Sequence, residues 1–414
     1  MAENARKGNN MKCLLQTCRI AVGAGALICA PAQMKAEEHE VQHYQVIDLG
    51  TFDGATFSQA FGLNNKGHVG GFAATADGSL HAFLWTRHNR LRDLGTLGGP
   101  NSFGGGPNDR DEVPLAAETS AIDPNFENFC AFGSGHICLA AVWRDGAMTP
   151  LPNLKSDNFT GNNGQAVGIN NRGQLIGFAE NGVLDPTCST ATPGQLERFE
   201  AVIWDAAGRV HELRPLAGDT VGFALSINNV GQAAGSSGTC ATTPLLPLQI
   251  GPHAVLWERD GTPVDLGSLG ADTTFNTGAS LNDLGQVVGG ANTPGNKTIH
   301  TFLWTKGRGM RDLGTVGTDV ASIPGGMGGI NNKGQVVGES CDANPLTAQT
   351  PPNCRAYLWQ AGKMLDLNSL VPPDSPLYLN IGFGINDAGE IAGYGIVKGT
   401  GDIHAFLLIP CDRD

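Results

Sequence analysis

Three sets of residues in this sequence could do chemistry. The first is cysteine: Cys130, Cys138, Cys188, Cys240, Cys341, Cys354 and Cys411. No paired C-x₂-C steps of a zinc site occur among them. The spacing suits disulfides, with Cys130–Cys138 and Cys341–Cys354 each stapling one segment and Cys188–Cys240 bridging two. Cys411 is then a leftover thiol or an intermolecular link. The second set is acidic: Glu118, Asp123, Glu127, Asp185, Glu197, Glu200 and Asp342. A pair of these could act as acid and base in glycoside hydrolysis, although solvated loop charges explain them equally well. The third set is His81, His253, His300 and His404, which invite a metal reading. No G-x-S-x-G, H-E-x-x-H, P-loop or EF-hand motif is present, so no catalytic residue, cofactor or metal ligand is expected.

The elements that carry these residues come from one unit used repeatedly. GLNNKGHVGGF (62–72) returns as GINNRGQLIGF (168–178), SINNVGQAAGS (226–236), SLNDLGQVVGG (280–290), GINNKGQVVGE (329–339) and GINDAGEIAGY (384–394). A second block follows each: HAFLW (81–85), AAVW (140–143), AVIW (201–204), HAVLW (253–257), HTFLW (300–304), RAYLW (355–359) and HAFLLIP (404–410). A third closes the unit, clearest as DLG at 93–95, 265–267 and 312–314. A seventh, degenerate unit is GPNDRDEVPLAAE (106–118), with Asp111 in place of the turn glycine and Pro114 in the second strand. Asn64, Asn108, Asn170, Asn228, Asn282, Asn331 and Asn386 are then equivalent. Their mean spacing is about 54 residues.

Each unit reads as four short strands. Strand A ends at the asparagine, whose side chain bonds its own backbone while glycine supplies the positive φ of a tight turn. Strand B follows the glycine, strand C ends in tryptophan, and strand D ends in DLG. The unbroken apolar C strands suit burial on both faces. The first DLG, in YQVIDLG (44–50), precedes any strand A, and the last unit has no strand D. The N-terminal strand can therefore complete the last sheet. The expected fold is all-β: a β-propeller of seven four-stranded blades, one domain over 44–410.

The ordered HAFLW, DLGTLGG and GINNxGQVVG blocks resemble the HAF-family extracellular repeats of bacteria. The resemblance covers most of 44–410 and implies an exported repeat protein without established catalytic residues. The second unit departs from the pattern, and the C strands of units two, three and six lack the histidine.

One histidine or asparagine per blade is spread around a ring, so four histidines cannot converge on one metal. The expectation is a histidine bonding a neighbouring blade's backbone, and aspartates of DLG anchoring the ring through backbone amides. Turn geometry accounts for the asparagines without an ion at the channel mouth. Glycine-rich Gly104–Gly106 and Gly325–Gly326 are placed in D–A crossovers. The B–C segments Ala117–Ile137, Ala179–Glu200, Ser236–Pro252 and Ser340–Cys354 are long and dissimilar, and counting Cys138 at the edge of the first they hold six of the cysteines and the acidic residues. That face is where binding chemistry is expected.

Composition bounds the rest. The chain has 414 residues, 59 glycines and a net charge of -13, which argues against nucleic acid as a partner. Arg6, Lys7, Lys12 and Arg19 precede the apolar run 20–30, which is too short to span a bilayer but suits a signal peptide, with cleavage near residue 32. Residues 1–36 are read as that signal and a short leader. The expected protein is secreted or periplasmic and monomeric, with no transmembrane segment in its mature chain and with a dimer through Cys411 as the variant. Its expected role is non-catalytic binding of a glycan or surface protein through the B–C face. The alternatives are a carbohydrate-active enzyme using loop carboxylates and a structural envelope component.

Overall fold

Every blade is built outward from its asparagine turn. In the turn 170–173, Asn170 Oδ1 accepts the amides of Arg172 and Gln174, each at 3.0 Å. Gly173 closes it at a φ of 78°. The degenerate unit keeps the same turn because Asp111 adopts a φ of 64°, a left-handed conformation that aspartate tolerates better than most residues.

The computed structural model describes residues 42–154, 163–245, 250–270 and 275–411. The signal assigned to 1–36 lies outside them. Blade 1 comprises Ser58–Leu63, Val69–Ala74, Leu80–Thr86 and Arg90–Asp93, and blade 2 Gly98–Gly104, Val113–Ile122, His136–Arg144 and Ala147–Pro150. Blade 3 comprises Gly164–Ile169, Leu175–Leu184, Glu197–Trp204 and Val210–Leu213, and blade 4 Val221–Ile227, Ala233–Gly238, His253–Trp257 and Pro263–Asp265. Blade 5 comprises Asn276–Leu281, Val287–Asn292, Ile299–Thr305 and Gly309–Asp312, and blade 6 Ala321–Pro324, Val336–Cys341, Cys354–Gln360 and Lys363–Asp366. Blade 7 takes Leu377–Ile385, Ile391–Val397 and Ile403–Pro410 from the end of the chain and Tyr44–Gly50 from its start. All seven sheets are antiparallel in the order A-B-C-D, and Tyr44 pairs with Pro410 at the closure. This is a seven-bladed β-propeller closed by its N-terminal strand.

The core lies between blades. Ala82, Phe83, Leu84 and Trp85 of one C strand are all buried, as the apolar run requires. Trp204 and Trp257 donate their indole N–H to Pro152 and Arg214 carbonyls of the preceding blade at 2.7 Å.

Near the axis two closed rings of hydrogen bonds join the blades. Each turn asparagine donates Nδ2–H to the carbonyl of the next one: 64 to 108, 108 to 170, 170 to 228, 228 to 282, 282 to 331, 331 to 386, and 386 back to 64, at 2.8–3.1 Å. In a second ring the amides of Asn65, Asp109, Asn171, Asn229, Asp283, Asn332 and Asp387 each donate to the next side chain's Oδ1 at 2.7–3.2 Å. The asparagines are thus turn residues, as expected, and also the clasp between blades. A third contact sits at the other end of strand A. Ser58, Ser102 and Ser322 donate to the glycine carbonyl of the preceding DLG and accept a C-strand amide of that blade.

The glycine-rich pairs are not in D–A crossovers. Gly104 ends strand A of blade 2, and Gly325–Gly326 follow strand A of blade 6. Blades crowd there: a Cβ on Gly105 would lie 2.4 Å from the Val167 carbonyl oxygen, and one on Gly325 2.4 Å from that of Phe383.

The clasp makes a sharp prediction. Asn228→Asp keeps the oxygen that holds its own turn but replaces the N–H that reaches Asn282 with an acceptor. Urea unfolding should show a loss of about 2 kcal/mol, whereas Val230→Ala, in the same turn but exposed, should change little.

Candidate functional site

The A–B and C–D turns share one face of the ring, and the B–C loops and D–A crossovers share the other. Part of each expected loop is strand. Strand B of blade 2 continues through a bulge to pair Ile122 with His136, and that of blade 3 pairs Leu184 with Glu197. The loops proper are 123–135, 185–196, 239–252 and 342–353, over blades 2, 3, 4 and 6. Blades 1 and 7 carry only tight turns at 75–79 and 398–402. The disulfides are Cys130–Cys138, Cys188–Cys240 and Cys341–Cys354, the second joining loops of adjacent blades. Cys411 follows the last strand of blade 7, where its amide donates to the His43 carbonyl and its own carbonyl accepts from Gln42 Nε2, both at 2.9 Å.

Most of the loop carboxylates turn inward. Glu118, Asp123, Glu127, Glu197 and Glu200 are buried, as is Glu180, which the sequence did not single out. They hold the loops together. Glu118 accepts from Asn101 and Ser134, and Asp123 from the amides of Asn125 and Glu127 and from Asn163 Nδ2. Glu127 Oε1 accepts the amides of Leu196 and Glu197 at 2.6 and 2.9 Å, crossing from the blade 2 loop to that of blade 3. Burial, then the charge of Glu127, pushes the Glu180 carboxyl well above the usual range. Burial, then the charge of Glu212, raises Glu200 to about 8. Asp185 is held low by the Thr187 hydroxyl and Arg198, and Asp342 by Asn353. These groups are spent on loop structure, so they do not form an open acid–base pair.

The histidines pair with carboxylates, and His81 also meets the backbone of Pro100 in the next blade, as expected. His81, His300 and His404 set Nδ1 against Asp93, Asp312 and Asp48 of their own blade's D strand at 2.9–3.1 Å. His253 meets Asp219 instead, at 2.8 Å. The DLG aspartates accept the amide two residues on, as Asp93 does from Gly95 at 2.7 Å, which stabilises a local turn rather than the ring. A carboxylate is the better partner because it matches the charge an imidazole acquires.

What remains accessible is aromatic. On the innermost strands Phe61, Phe103 and Phe383 are half-buried. Phe61 lies 4.5 Å from Phe383 and 4.9 Å from Phe103, ring centre to ring centre. Phe72 and Phe57 extend the group on one side and Tyr394 on the other. The result is a continuous floor across blades 7, 1 and 2. Phe72, Tyr394 and Glu339 occupy one repeat position, eight residues after the turn asparagine. Phe178 holds the same position in blade 3 but is fully buried, 5.5 Å from Phe129 of the blade 2 loop. The long loops bury the inner wall of blades 3 and 4, and the tight turns leave blades 7 and 1 open. Glu339 is half-buried in blade 6 beside Tyr394, and burial raises its carboxyl to about 7.

The opposite mouth holds a cavity of about 170 Å³ ringed by the asparagine turns. Its carboxylates are committed: Asp109, Asp283 and Asp387 each accept a clasp amide and an asparagine Nδ2–H.

No protein-family model matches the chain, and no curated protein does. Solved structures share its architecture. A puromycin hydrolase S511A mutant complexed with PGG has a TM-score of 0.50 at 11% identity, over 84% of this chain and 53% of its own. An acylaminoacyl peptidase of Pyrococcus horikoshii reaches 0.43 at 13% identity, over 80% and 49%. The chain spans about half the length of these two. A gluconolactonase of Xanthomonas campestris reaches 0.36 at 9% identity, over 89% of both chains. Identities this low show the propeller fold alone.

The histidine–aspartate pairs set a pH dependence. The hydrogen bond to Asp93 raises His81 above its ordinary 6.5 against the opposing effect of burial. Burial opposes ionisation of Asp93, yet His81 and the Gly95 amide outweigh it and hold the carboxyl low. The imidazolium's contribution is complete below the unfolded histidine value and is lost as pH rises through the folded one. An NMR titration should place His81 above 6.5 and return it towards 6.5 in Asp93→Asn. The stability gap between the two proteins should shrink from pH 6 to pH 9.

Proposed function

We propose that this protein is an exported, HAF-type binding propeller that seats a glycan on the aromatic floor of blades 7, 1 and 2, with Glu339 at its edge. The observation that carries this is the unequal fate of one repeat position: buried as Phe178, half-exposed as Phe72, Tyr394 and Glu339. An apolar aromatic surface beside one polar group of shifted acidity is the usual make-up of a ligand site. The rings touch each other at 4.5–6.0 Å, so they form a floor rather than a cage around an ammonium group. A floor suits the flat C–H face of a pyranose. A carboxyl raised to about 7 can donate as well as accept, which matches vicinal hydroxyls.

Export is supported by the three intramolecular disulfides. Among the described residues no helix is long and apolar enough to cross a membrane. The shifted acidity of Glu339 also favours a second reading, a carbohydrate-active enzyme with Glu339 as general acid.

Calorimetric titration of the protein with an oligosaccharide panel tests both. Binding by one sugar class should weaken at least tenfold in Phe61→Ala and Phe383→Ala and survive in Phe126→Ser, on the blade 2 loop, with the sugar recovered intact. Binding indifferent to both ring deletions would sink the proposal. Turnover that disappears in Glu339→Gln while binding persists would establish the second reading.

A further inference from the structure

Buried charge needs a counter-charge, and among the described residues none is set against Glu127 and Glu180. Glu118, Asp123, Glu127, Glu180, Glu197 and Glu200 are each at most 8% exposed. The basic residues of these segments are engaged elsewhere: Arg198 with Asp185, and His136 with the Thr119 carbonyl. At the centre the carboxyls of Glu127 and Glu180 meet. Glu180 Oε2 accepts from the amide and side chain of Asn163 at 2.7 and 3.1 Å, and Oε1 from Gln195 Nε2 at 2.9 Å. Asn163 Nδ2 also reaches Asp123.

Two oxygens here have no donor. Glu127 Oε2 and Gln195 Oε1 are buried without a hydrogen-bond partner, on residues each 1% exposed. Gln195 cannot be turned to relieve this, because its Nε2 already serves Glu180 and the Glu197 carbonyl. A proton shared by the two carboxyls would answer Glu127 and leave the amide oxygen bare. A hard cation accepts carboxylate and amide oxygens together.

We propose that Glu127, Glu180 and Gln195 hold a calcium ion that ties the blade 2 loop to the blade 3 loop. Only two carboxylates meet, so main-chain carbonyls or water complete the shell, and affinity falls in the range of extracellular calcium modules. The site is separate from the aromatic floor and does not depend on its ligand.

The test is titration of EDTA-stripped protein with CaCl₂, paired with melting in calcium and in EDTA. One site with a Kd on the order of 0.1–1 mM is expected, with a melting temperature a few degrees higher in calcium. Glu127→Gln and Gln195→Met should each weaken binding at least tenfold, while Glu339→Gln leaves it intact. Identical melting in calcium and EDTA with no heat of binding overturns the proposal and leaves a proton-sharing pair. Binding that persists unchanged in Glu127→Gln also overturns it, since the ion would then sit elsewhere, for instance at the Asp109, Asp283 and Asp387 mouth.

Discussion

The side-chain amide of one asparagine per blade carries this architecture. Its oxygen holds the blade's own turn and its nitrogen reaches the carbonyl of the next blade's asparagine, seven times around. Both halves of the amide are needed, which explains why aspartate never stands at this position. The residue after it only has to accept an amide through Oδ1, a task asparagine and aspartate do equally well. Four of the seven blades use asparagine there and three aspartate. Asn-Asn and Asn-Asp therefore alternate around the ring without breaking it.

Much of the fold was legible because it repeats. Turn, strand and tryptophan return in fixed order, and the misplaced first DLG gives away the closure. Even Asp111 could be placed, since aspartate is one of few residues that tolerate glycine's conformation. The disulfides followed from which loops are neighbours. Less legible was anything that depends on what covers what. His81 meets Asp93 across a strand pair, twelve residues away, a contact that requires register rather than motif. Glu339 resembles any strand glutamate until blade 7 is set beside it.

The candidate site illustrates the same limit. Loop length singles out the B–C segments, whereas the accessible aromatic rings lie on blades 7, 1 and 2. The long loops fold inward, bury their carboxylates and lay Phe129 over the inner wall of blade 3. The inner strands keep half-exposed aromatic rings where the loops are short, at blades 7 and 1. Length marks investment in structure here, and the opening is defined by its absence.

The pairing of Tyr44 with Pro410 and the bond from Asn386 to Asn64 have a temporal meaning. Six blades can form from contiguous chain as it emerges, but the seventh must wait for its last strand and then recover its first. Closing a loop of 322 residues costs little more than closing a short one, because loop entropy grows only with the logarithm of length. The delay is one of order rather than of energy. Until that moment strand C of blade 7 and the N-terminal strand Tyr44–Gly50 offer bare edges, and the molecule is an open crescent vulnerable to pairing with a second chain.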